Sequence, residues 1–221
     1  MNYLAHFVYN HQIRELTPQP YFVLGVALPD LWTWFSRRRR IRWKAVRAAA
    51  KLDPIDTQLQ AGLLNHVEAD RRFHTLPSFL HWLRELKDHA GDTEQPLVLD
   101  FLAHLVIELT LDHHLVRSQP HLPEQFYTTL EACDLADAEQ RISTLAQVDA
   151  TGLQQVAQGF LSRRFLHRYS ERQGLLTVIK RVLDLTTIPA CPPVQLINAL
   201  LDHAAEIVSP AAVWADFTEG E

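Results

Sequence analysis

Between Pro96 and Arg117 the chain reads PLVLDFLAHLVIELTLDHHLVR. Asp100, His104, Glu108 and Asp112 fall four apart, and nearly everything between them is Leu, Val, Ile, Phe or Ala. In a helix, residues four apart lie on one side, one turn above another. The segment is therefore a helix that is apolar almost all round, with one narrow stripe of acids and imidazole extended by His113 and His114. A helix of that kind belongs in the middle of a domain. Buried carboxylates and imidazoles are costly unless something pairs with them, and a metal ion is a common partner. The competing reading is the wet edge of a central helix. Against it, solvated faces usually carry Lys, Arg or Gln, and none stands between Pro96 and Val116.

The other segments support helices rather than strands. There are seven Gly against twelve Pro, with few alternating Val-Thr-Tyr runs, and 47% of residues are hydrophobic. A chain of 221 residues is expected to form one domain. The expectation is all-α: a single-domain helical bundle over 1–221 of roughly eight to eleven helices. Its C-terminal part, from about 123, is expected to pack on a core made by 1–117. Helices are expected over 1–14, from Asp53-Pro54 to about Phe73 or His74, from Pro77 to about Asp88 and over 96–117. Further helices are expected over 123–132, 135–147, 149–169, 173–184 and 194–208. Asp53 can cap its helix and Pro54 suits the first position; Asp92 or Thr93 can cap the central one. Breaks are expected at Gln119–Pro123 and at Pro189–Pro193.

The helix opened by Pro54 carries a second polar line, His66, Asp70 and His74. A His-x-x-x-Asp pair on one helix face is a usable two-ligand clip, although such pairs are also common on surfaces. Its weight comes from the Glu108 and Asp112 pair on another helix. His6 lies on the apolar side of the first helix; alone, such a histidine is more often a core residue than a ligand. Asp30 is the only charge in YFVLGVALPDLWTWF. Pro29-Asp30 reads either as a turn or cap or as a ligand at a helix break.

The net charge of −5 makes the molecule a poor non-specific binder of nucleic acid. Against that balance, Arg37, Arg38, Arg39, Arg40 and Arg42 form one basic cluster. It is either a solvated linker or a docking patch for an acidic partner or a phosphate. Cys133 and Cys191 have no metal-type spacing and read as reduced thiols of a cytoplasmic protein. Charged groups interrupt every apolar stretch, so no membrane span is expected, and the N-terminal segment lacks the marks of a signal peptide.

These segments together resemble the bacterial acyl-carrier-protein phosphodiesterases. Met-Asn-Tyr-Leu-Ala-His6 is similar to that family's MNFLAH opening. Gly25-Val-Ala-Leu-Pro-Asp30 stands where the family has GNLLADF. Gly62-Leu-Leu-Asn-His66-Val-Glu-Ala-Asp70 resembles GIxxHRxVD, and Glu108-Leu-Thr-Leu-Asp112-His113-His114-Leu115 resembles DxxxDHFL. The likeness runs in matching order through most of the chain. Val67 stands where the family has Arg, His74 where it has a later Asp, and His104 has no counterpart. The resemblance implies an all-helical fold related to HD-type phosphohydrolases and a divalent metal, often Mn; the mixed His and carboxylate set also suits Fe or Zn. It implies hydrolysis that frees 4′-phosphopantetheine from acyl carrier protein; another acidic or phosphorylated substrate is the alternative partner. Carried over, His6, Asp30, His66, Asp70 and Asp112 are candidate metal ligands. Glu108 or His104 is the candidate base, His113 the candidate acid, and the arginines 37–42 the docking residues. The alternative is a non-catalytic helical binding or regulatory protein that keeps a metal or polar core and docks an acidic partner through the basic segment.

Overall fold

Proline at the first or second helical position lacks only an N–H that would have no intrahelical acceptor, and its φ is already helical. Among the described residues, six helices start that way: α2 (Pro20–Phe35), α4 (Pro54–Phe73), α5 (Pro77–Ala90), α6 (Pro96–Ser118), α7 (Leu122–Glu131) and α12 (Pro210–Glu219). The other α-helices are α1 (Tyr3–Val8), α3 (Trp43–Ala48), α8 (Leu135–Leu145), α9 (Leu153–Arg163), α10 (Arg172–Leu185) and α11 (Val194–Ile207). A π-helical turn follows α1 at Tyr9–Ile13, and a 3-10 segment covers Phe165–Ser170. The computed structural model describes residues 1–36, 38–50, 53–91, 95–186 and 192–219. The protein is all-α, with no strand among the described residues. Arg37, Asp92, Thr93 and Cys191, which carried expectations above, lie outside them, as does most of the break expected at Pro189–Pro193.

The chain divides into two compact units that alternate along the sequence. One comprises Met1–Asn2, Arg72–Pro120 and Phe165–Glu221; the other comprises Tyr3–Arg71 and His121–Arg164. The first of these is here called the α6 unit and the second the α2 unit. The break expected near Gln119–Pro123 coincides with one passage between them.

In the α6 unit, α6 packs on α5, α10, α11, α12 and the 3-10 segment. Leu102, Ala103, Val106, Ile107 and Leu111 on α6 are fully buried, beside Leu86 and Phe217 of the same unit. The polar stripe is not uniform. Side-chain exposure falls from 45% at Asp100 to 38% at His104 and 17% at Glu108, and Asp112 is fully buried. So the stripe is a wet edge at its start, where Lys87 Nζ meets Asp100 at 2.5 Å, and enters the interior two turns later. α12 was not expected from the sequence; Val213 and Phe217 bury it against α5 and α6. No single described helix is long and apolar enough to cross a membrane, and α11 with α12 meets that length and composition only as a pair bent by 60°.

In the α2 unit, Asp53 caps α4 by accepting the Asp56 N–H at 2.9 Å. Arg141 of α8 joins that helix start to its own helix through Asp53, Asp56 and Asp137 at 2.6–2.8 Å. Two local expectations are corrected. The Pro29-Asp30 pair makes no turn or helix break, because α2 runs through both to Phe35 with Pro29 inside it. The helix expected over 149–169 is divided. Gly152 (φ 97°) precedes α9, and Arg164 adopts a left-handed conformation (φ 44°) that stops it. Ion pairs to Glu124 and Glu131 hold Arg164 there, over the Tyr127 ring. Cys133 is buried, and burial pushes its thiol up to about 12, so it is not a reactive nucleophile.

Candidate metal centres

The α2 unit brings four of the expected ligands to one place, and a pair of glycines is the reason. Gly25 of α2 faces Gly62 of α4 so closely that a Cβ on Gly62 would lie 2.2 Å from the Phe22 carbonyl oxygen. A Cβ on Gly25 would lie 2.6 Å from the Leu59 carbonyl oxygen. The two backbones therefore touch. One turn beyond Gly62 along α4 stands His66, and the residue after Gly25 is Val26. The close crossing sets His66 Nδ1 2.9 Å from the Val26 carbonyl oxygen. A carbonyl only accepts, so Nδ1 carries the proton and Nε2 is left with its lone pair. That is the arrangement found in metal-binding histidines, whose second nitrogen is tied to a carbonyl or carboxylate.

Around His66 Nε2 stand the other donors. The His6 ring from α1 stacks on the His66 ring at 4.4 Å and 26°. Asp30 Oδ1 from α2 is 4.0 Å from His66 Nε2. Asp70, one turn further along α4, places Oδ1 3.7 Å from His6 Nε2. Donor atoms of His6, His66 and Asp70 all lie within 4.8 Å of one another. The imidazoles form a floor, His6 being only 1% exposed, and the carboxylates a rim, each about 30% exposed. Asn10 completes the floor by donating to the His6 carbonyl and to Asn65 Oδ1, both at 2.9 Å.

Burial, reinforced by the neighbouring His6, lowers the His66 pKa from 6.5 to about 3. The ring is therefore neutral near pH 7, the form that binds metal. Below about pH 6.5 the unfolded chain takes up a proton that the folded chain refuses until about pH 3, so stability falls as pH drops through that window. In chelator-treated protein this single group should cost about 2 kcal/mol between pH 7 and pH 5. Denaturant unfolding at both pH values checks it; in His66→Gln the drop should shrink by that amount, and an unchanged drop would contradict the assignment.

The α6 unit holds a second group. Glu108 Oε1 receives His104 Nε2 at 3.1 Å, His74 Nε2 at 3.2 Å and the Met1 α-ammonium at 2.8 Å. Burial would raise the Glu108 carboxyl, but the Met1 ammonium and the two imidazole hydrogen bonds outweigh it and hold the group well below the usual carboxylate range. His113 donates from Nδ1 to the Tyr169 carbonyl at 2.6 Å.

The sequence-derived residues thus separate by unit. His6, Asp30, His66 and Asp70 belong to the α2 unit, whereas Asp112, Glu108, His104 and His113 belong to the α6 unit. Arg38, Arg40 and Arg42 are exposed in the α2 unit. Arg39 is occupied internally by the Asp149 carboxylate at 3.0 Å and the Asp149 and Thr151 carbonyls at 3.2 Å. Its own carbonyl accepts the Trp32 indole N–H at 2.7 Å. The sequence reading did not assign two contributors. His74 was visible as the third member of the line 66-70-74, but nothing tied it to Glu108. The Val26 carbonyl leaves no trace in residue type at all.

The molecule is thus an all-helical protein with a buried histidine-carboxylate centre in its α2 unit. Comparison with family models, curated proteins and solved structures gives no match.

Proposed function

We propose that the protein is a metal-dependent hydrolase of phosphate esters, with the phosphopantetheine diester of an acyl carrier protein as its first candidate substrate. One observation carries the reading: His66 is fixed as a neutral imidazole with Nδ1–H on Val26 and its Nε2 lone pair among His6, Asp30 and Asp70. Two imidazoles and two carboxylates suit Mn, Fe or Zn better than Ca, which prefers oxygen alone. An ion bonded at ~2.1 Å brings adjacent donors to about 3.0–3.4 Å of one another. The observed separations are 3.7 and 4.0 Å, so an ion would have to draw the two rim carboxylates inward.

A divalent ion held there would supply Lewis-acid polarisation of a phosphoryl oxygen and a more acidic water. The chain's own contributions are distinct. Val26 orients His66. The helix crossing keeps water away from the imidazole floor. Asp30 and Asp70 face solvent, where a phosphate ester can arrive, and either can accept a proton from an attacking water. The exposed Arg38, Arg40 and Arg42 offer positive charge to an acidic carrier protein or to phosphate. The resemblance to the carrier-protein phosphodiesterases supports this substrate.

The test is direct. Purified protein loaded with Mn should release phosphopantetheine from holo carrier protein or cleave a generic phosphodiester. Asp70→Asn should lower the rate at least ~100-fold. No turnover on either substrate at full metal occupancy would overturn the hydrolase and leave a non-catalytic metal-holding protein.

A further inference from the structure

We propose that the α6 unit carries its own transition-metal site, a zinc-type centre made by His74, His104 and Glu108. It does not rest on the His66 centre or on the hydrolase reading. Three positive or N–H groups converge on the single oxygen Oε1 of Glu108, at 2.8, 3.1 and 3.2 Å. Without an ion these donors satisfy the Glu108 carboxylate; an ion would displace the two Nε2 protons to solvent and bind the lone pairs they leave. The three side chains come from two places: His104 and Glu108 one turn apart on α6, and His74 just past the end of α4. Their donor atoms all lie within 4.8 Å of one another.

The spacing suits an ion. Tetrahedral ligands bonded at ~2.05 Å stand about 3.3 Å from one another. Glu108 Oε1 already stands 3.1 Å from His104 Nε2 and 3.2 Å from His74 Nε2. Two imidazoles and one carboxylate are the set used by zinc centres that keep a fourth position open. The imidazoles are also packed in place, with His74 and His104 rings 4.4 Å apart and Phe79 5.1 and 5.2 Å from them. An ion here would take over the charge that the Met1 ammonium now presents to Glu108.

His104 and Glu108 also line an open cleft of about 640 Å³, with Lys87, Asp100, Phe101 and Val182 on its walls. The open position therefore faces space large enough for water or a small anion. Ions from Co to Zn bind sites of mixed imidazole and carboxylate more tightly than Mn does, so they are the ions to try here.

Cobalt is the probe. The full chain, stripped with chelator, is titrated with Co²⁺ and followed by its visible bands and by equilibrium dialysis, alongside His104→Gln and His66→Gln. His104 is over a third exposed, so its replacement should leave the fold intact, as metal-free melting will show. His74→Gln serves as the second variant should His104→Gln melt early. His104→Gln should bind one Co²⁺ fewer than the unaltered protein, or bind that ion at least ~100-fold more weakly. His66→Gln should keep the ion that His104→Gln loses. The same stoichiometry and affinity in His104→Gln and His74→Gln as in the unaltered protein would overturn the site. If the His66 centre binds no cobalt, the unaltered protein takes one ion and His104→Gln none, so the two centres fail independently.

Discussion

Gly62→Ala should destabilise the protein by about 3 kcal/mol or more, and Gly62→Val should prevent folding. The new Cβ would lie 2.2 Å from the Phe22 carbonyl oxygen and 2.9 Å from the Gly25 Cα and the Val26 nitrogen. All three are backbone atoms inside α2, so no side-chain rotation relieves the clash and the helices must part. The sign makes this a demanding test. In an exposed helix interior Gly→Ala stabilises by about 1 kcal/mol, so a loose crossing would give the opposite result. Separation of the helices also withdraws the Val26 carbonyl from His66 Nδ1, so any folded Gly62→Ala should bind metal weakly in the α2 unit. Equilibrium unfolding in denaturant, with metal titration of the folded fraction, reads both effects. A stability change under about 1 kcal/mol would contradict the backbone contact.

His66→Ala should lower metal affinity of the α2 centre by at least ~100-fold and reduce any ester hydrolysis by at least ~1000-fold. The orientation of His66 is fixed from behind by the Val26 carbonyl at 2.9 Å. The substitution removes a buried ring that stacks on His6. A stability loss of about 2–3 kcal/mol should accompany it, from the cavity and the unpaired carbonyl. Stability and metal affinity can be separated with His66→Gln, which refills most of the space without restoring an imidazole. Calorimetric metal titration beside thermal melting distinguishes them. Full metal affinity in a folded His66→Ala protein would remove His66 from the centre.

Much of this architecture was legible from residue order because its signals are local. Proline at a helix start and a four-residue polar period act within one or two turns, so α4, α5, α6 and α11 were placed close to their true limits. That His6, Asp30, His66 and Asp70 belong together came from the family resemblance; local pattern alone left His6 as a core residue and Asp30 as a turn or cap. What the sequence concealed depends on contacts distant in the chain. Arg164 looks like an ordinary helical arginine, yet Glu124 and Glu131 hold it where the backbone turns left-handed. Pro29 looks like a helix breaker, yet α2 continues through it. The gradient from Asp100 to Asp112 was hidden too, since period alone cannot tell which end of a stripe meets solvent. The partnership of His74 with Glu108 joins residues 34 apart, and no local pattern announces it.

The central claim is that His6, His66 and Asp70 hold one cation, with Asp30 at its rim. Anomalous diffraction from crystals of the full chain grown with Mn²⁺ tests it most directly. The account predicts a Mn peak within bonding distance of His66 Nε2, His6 Nε2 and an Asp70 carboxylate oxygen, with the His66–Val26 hydrogen bond intact. Full Mn occupancy elsewhere in the molecule, with no peak between these three side chains, would contradict it.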